Sequence, residues 1–176
     1  MGLPYTSGCD TASRNPGHSP ATRVSEARAA GASEGMGAVF EGVRDLHVKL
    51  GHLYLEYAIK SQEETDRAVF VKKALDAFSS AKELGAGGQA CIGMSKALIM
   101  GMRLGPHDPL ESKWMVDRAI CEAEEAVAAD PGNEQGHWAL AEALMTKALK
   151  CPDAEPVSLI HRAALSAEVA RKLKHG

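Results

Sequence analysis

Ala119-Ile-Cys-Glu-Ala-Glu-Glu-Ala-Val-Ala-Ala-Asp-Pro-Gly-Asn133, followed at once by Glu134-Gln-Gly-His-Trp-Ala-Leu-Ala141, is the stretch that decides the fold of this chain. Ala119, Ala123 and Ala126 fall four and three residues apart, so they share one helix face. Asp130-Pro131-Gly132-Asn133 then ends that helix and begins the next. Small side chains let two helices approach closely, and a short stop-start turn makes them antiparallel neighbours. Stacked helical hairpins are written in sequence this way.

The rest of the chain agrees with an all-α reading. Its 176 residues are 45% hydrophobic but only 5% aromatic. The core is therefore built from Ala, Leu, Val and Met, which favours close helix packing over a β-sandwich. A formal charge of -3 argues against a general nucleic-acid binder, which carries a basic patch. Cys91, Cys121 and Cys151 form no CxxC pair. Neither a disulfide framework nor structural zinc is expected, and a reducing, cytoplasmic setting is the default. No apolar run reaches the length of a membrane span, and the first residues lack the apolar core of a secretory signal.

Residues 1–32 are rich in Gly, Ser, Pro, Ala and Thr and read as a flexible N-terminal segment before a helical domain over 33–176. Met1-Gly2-Leu-Pro-Tyr-Thr6 fits the N-myristoylation pattern, and Arg14, Arg23 and Arg28 fit an organelle transit peptide. These are the alternatives to a cytoplasmic protein.

Met36, Val39, Val43, Leu46, Leu50, Leu53 and Tyr57 then advance in steps of three and four, one continuous apolar helix stripe. Ser61-Gln-Glu-Glu64 reads as a capping box for a second helix that stops at Gly85. A third helix runs from about Gln89 to Leu104 and ends at Gly105-Pro106. Asp108-Pro109-Leu-Glu111 opens a fourth, with Asp as cap and Pro at the first position. Glu134 to Lys150 and about Pro156 to Leu173 complete six helices in three hairpins.

Laid over one another, the hairpins resemble tetratricopeptide repeats. The first matches with Leu50, Gly51 and Tyr54, then Ala74, Phe78 and Ala81. The second matches with Ile92 and Gly93, then Ala119, Ala123, Ala126 and Pro131. The third matches with Leu140, Ala141 and Leu144, then Ala163, Ala167 and Ala170. Each repeat carries roughly ten to fourteen more residues between its two signatures than the usual period allows. The resemblance implies three antiparallel hairpins stacked as a short right-handed solenoid, whose first helices line a concave groove.

Carried over by position, that groove would present Asp45, Val48, His52, Leu55 and Glu56 from the first hairpin. The second would give Ala90, Met94, Ala97 and Leu98; the third, Gln135, Trp138, Glu142, Met145 and Thr146. Val48 and His52 stand where chaperone-binding members of that family hold a terminal carboxylate with cationic side chains, so no carboxylate clamp is implied. The implied partner is a protein or peptide with apolar anchors and some basic residues. The alternative is a structural subunit of a homo-oligomer or larger complex, and the third a small-molecule or metal-binding helical protein.

Three chemical motifs fall short of a site. Gly85-Ala-Gly87-Gly88 opens a helix but follows another helix, not the strand a dinucleotide loop needs. Glu134-Gln-Gly-His137 is a single Glu-x-x-His where a di-iron bundle needs two. His52 and Glu56 share a face without a third ligand or nucleophile. No catalytic set and no cofactor is expected.

Overall fold

The computed structural model describes residues 20–104, 108–151 and 155–175, with side chains from residue 37 onward. It divides into two compact units, Met1–Ala38 and Val39–Gly176. The described residues form six helices: α1 (Pro20–Lys60), α2 (Glu64–Glu83), α3 (Gly87–Arg103), α4 (Pro109–Ala129), α5 (Glu134–Lys150) and α6 (Pro156–His175). There is no strand among the described residues. Helices α2 to α6 pack in succession as neighbours, and α5 also reaches back to α3, as stacked hairpins require. Helix α1 starts well before the boundary expected at Ser33. The acylation and most of the transit-peptide readings, with the Gly105-Pro106 stop, lie outside the described residues.

Local chemistry sets most helix ends. Gly85 takes φ +92°, the left-handed region where a side chain is strained. Its N–H donates to the Lys82 carbonyl at 3.0 Å and that of Ala86 to Ala81 at 2.9 Å, the paired bonds of a Schellman stop. The carboxylate of Asp108 accepts from the amides of Leu110 and Glu111 at 2.7 and 2.9 Å, with Pro109 beginning α4. Asn133 caps α5 through Gln135 N at 3.0 Å, and Asp130 accepts from Gly132 N inside the same turn.

The capping box at Ser61 does not form. Glu63 is the N-cap of α2 and no side chain caps it. Arg67, one turn in, donates instead to the carbonyls of Ser61 and Gln62 at 2.8 and 3.3 Å. A long guanidinium reaches back over the turn and ties it down, leaving the short serine no acceptor role.

The core has two adjoining parts. Phe78 of α2 is fully buried with Val48, Leu55, Ala74, Ala81, Ala90 and Ala97. Its ring lies against Gly51 of α1 and Gly93 of α3, and a methyl group at either glycine would overlap the ring. The larger part gathers the Ala119–Ala123–Ala126 stripe with Val116, Ile99, Ala139, Ala143, Leu144, Leu159 and Ala163. The alanine face read from sequence is thus the seam of the second and third hairpins.

Candidate partner-binding groove

Asp45, Val48 and His52 of α1 line a cleft of about 560 Å³ with Arg44, Lys49, the Gly85–Gln89 segment and the Ala129–Asn133 turn. Next to it, His52, Gln89, Ile92, Asn133 and Gln135 surround a smaller space of about 160 Å³. Together they form a polar hollow to which α1, α3 and α5 all contribute. Gly87, Gly88 and Gln89 head α3, where no earlier carbonyl of the helix reaches their amides, and the Ala86 N-cap brings no side-chain acceptor.

A different depression, about 420 Å³, lies between α5 and α6. Trp138, Ala141, Glu142 and Met145 form one wall, and Ala163, Ala164 and Ala167 the other. Trp138 is 47% and Met145 38% exposed. Glu142 on its rim pairs with Arg103 of α3 at 2.9 Å.

The remaining residues assigned to the groove stand elsewhere. Leu55, Ala90, Ala97 and Leu98 are buried in the core and Met94 is half-buried against it. Thr146 is buried too, its hydroxyl donating to the Glu142 carbonyl at 2.7 Å. Glu56 is exposed and faces Lys60 at 3.6 Å along α1. The assigned residues divide by helix: several on α1 and α5 border these hollows, whereas α3 is enclosed by its neighbours, and of the residues assigned on it none is exposed. Sequence reasoning missed Lys49, Gln89 and Asn133, because their place beside the cleft depends on how turns from different hairpins meet.

His52 is half-buried, its ring edge-on to Phe78 with centroids 5.1 Å apart. Burial and nearby Lys96 hold its pKa below 6.5, against the opposing pull of Glu56. It is neutral at pH 7. Burial also lowers Lys96, with Glu142 opposing.

A charged cluster lies behind these surfaces. Lys82 of α2 bridges Glu122 and Glu125 of α4 at 2.9 and 2.7 Å, and Arg118 meets the other oxygen of Glu122 at 2.5 Å. Glu122 is only 1% exposed, and two cations on it are what make that burial tolerable. Burial lowers the Lys82 pKa, but its bonds to Glu125 and Glu122 prevail and raise it. The bond from Lys82 lowers that of Glu125. Cys91 adjoins the two carboxylates, with candidate ligand atoms of all three within 4.8 Å. Burial and Glu122 push its thiol up to about 12, so it stays protonated at neutral pH. The Lys82 ammonium already meets both carboxylates. The cluster is a charge-balanced tie between α2 and α4.

The Glu-x-x-His motif has a structural use as well: His137 Nε2 donates to the Pro131 carbonyl at 3.0 Å, bracing the α4–α5 turn. No helix among the described residues is long and apolar enough to cross a membrane. No protein-family model, curated protein or solved structure matches this chain.

Proposed function

We propose that the protein is a non-enzymatic adaptor whose helical stack binds a segment of another protein, seating apolar anchor residues in the α5–α6 depression. The single observation that carries this reading is the exposure of Trp138 and Met145 on the wall of a concave, alanine-floored hollow. Trp and Met in such a setting contribute large, adaptable contact area once a partner excludes water. Glu142 on the rim already pairs with Arg103, so a basic residue beside the anchors would share its carboxylate. The polar cleft between α1, α3 and α5 offers amide donors for an extended backbone running on from the anchor site.

Selection from a random peptide display library tests it. Wild-type protein is expected to enrich sequences that pair large apolar residues with Lys or Arg. A variant carrying Trp138→Asp and Met145→Asp is expected to lose them by at least about tenfold in affinity, roughly 1.4 kcal/mol. Both side chains are exposed, so helicity by circular dichroism should be unchanged. Equal binding by the variant would remove the depression from the account.

A further inference from the structure

Helix α1 has two faces with nearly opposite duties. Val48, Gly51, Leu55 and Ala58 turn to the body and are buried. The stripe Val39, Val43, Leu46, Leu50, Leu53 and Tyr57 points largely the other way, with Leu50 half-buried and the Tyr57 ring stacked at its edge on Phe70 of α2, centroids 5.6 Å apart. Leu46 is 61%, Leu53 44% and Tyr57 49% exposed. Its steps of four and three give a period of 3.5 residues, so the seam runs almost straight along the helix. A surface helix needs no such seam, and apolar seams of this period ordinarily meet a second helix with the same pattern.

We propose that this seam is a self-association surface, pairing α1 of two copies of the chain antiparallel about a two-fold axis. The register follows from charge. Lys49 and Glu56 are both exposed, one heptad apart on the same flank of the seam. Setting Leu50 against the partner's Leu53, and Leu46 against the partner's Tyr57, fills each of those layers with apolar side chains. It also brings Lys49 beside the partner's Glu56 and, by symmetry, Glu56 beside the partner's Lys49. Sliding by one heptad toward the N-terminus keeps apolar layers but sets Lys49 beside the partner's Lys49. Parallel pairing puts Lys49 beside the partner's Tyr54, with no charge to meet it. One arrangement alone satisfies seam and flank together, and it is closed and two-fold, the commonest oligomer symmetry.

From Val43 to Lys60 the paired helices run about 27 Å. That is a short interface, at the low end of specific association. No residue of the seam lines the α5–α6 depression, so the two surfaces are separate.

Sedimentation equilibrium of the full chain between about 1 and about 100 micromolar tests the proposal. The wild type is expected to approach dimer mass across this range. Leu46→Glu with Leu53→Glu should give a monomer of unchanged helicity, since both residues are exposed in the single chain. Lys49→Glu or Glu56→Lys alone sets two like-charge pairs across the seam and should weaken association about tenfold. Mixing those two single variants creates two attractive pairs and should restore it. A wild type that stays monomeric overturns the proposal, as does a dimer indifferent to the Leu46 and Leu53 changes. Higher oligomers overturn the closed pair, and failure of the mixed variants to recover overturns the antiparallel register. None of these results bears on peptide capture at Trp138.

Discussion

Phe78, Gly51 and Gly93 show how much one contact between residues can fix. The ring is fully buried and its faces are closed by two helix backbones that lack side chains at the point of contact. Glycine inside a helix costs about 1 kcal/mol relative to alanine when exposed, so here it is kept for the space it leaves. Gly93→Ala is therefore expected to destabilise the protein by about 2 kcal/mol, against the propensity trend. A chemical denaturation curve showing no loss would mean that the ring can shift aside. Both glycines were legible as repeat positions beside Leu50 and Ile92. Phe78 also stood among the residues that carry the repeat resemblance, but that it meets both glycines was not legible, because the contact spans three helices.

Helix ends follow local rules, and that is why the sequence located most elements closely. Asp108 with Pro109 and Asn133 after Gly132 each carry their capping group within three residues of the amides they serve. Replacing Asp108 by alanine frees two amides of α4 and should lower stability by about 1 kcal/mol, read as a shift of the thermal midpoint. Ser61→Ala should leave that midpoint nearly unchanged, since α2 is held by Arg67 and not by the serine. The helix faces were less legible than the ends. On α1 the series 39-43-46-50-53-57 and 48-51-55-58 both have helical spacing, and pattern alone does not say which meets the body. The second series does so because Gly51 and Ala58 allow the close approach that the bulkier stripe prevents.

In the whole molecule, charge is placed to tie hairpins together. Lys82 links α2 to α4, Arg103 links α3 to α5, Lys147 links α5 to α4, and Arg162 links α6 to α4. These ties and the neutral His52 give the fold a definite pH response. The His52 pKa is lower folded than unfolded, so its contribution is complete above about pH 6.5 and is lost as pH falls through the folded value. Glu125 is also depressed, so its contribution holds above its unfolded value near 4.5 and fades as pH falls below that. Stability should thus decline in two stages on acidification. His52→Gln should flatten the first stage, seen in denaturation midpoints between about pH 7 and 5. An unaltered first stage in that variant would place the titrating group elsewhere.

The sequence by itself determined the helical class, the three-hairpin order and most of the stops, because capping, glycine turns and apolar spacing act over a few residues. Only the tertiary structure decided which stripe of α1 faces out, that Leu55, Ala90, Ala97 and Leu98 are core, and that Glu122 is buried between two cations. Those outcomes depend on which surfaces meet between residues forty positions apart, and side-chain volume and charge settle that only once the helices are packed.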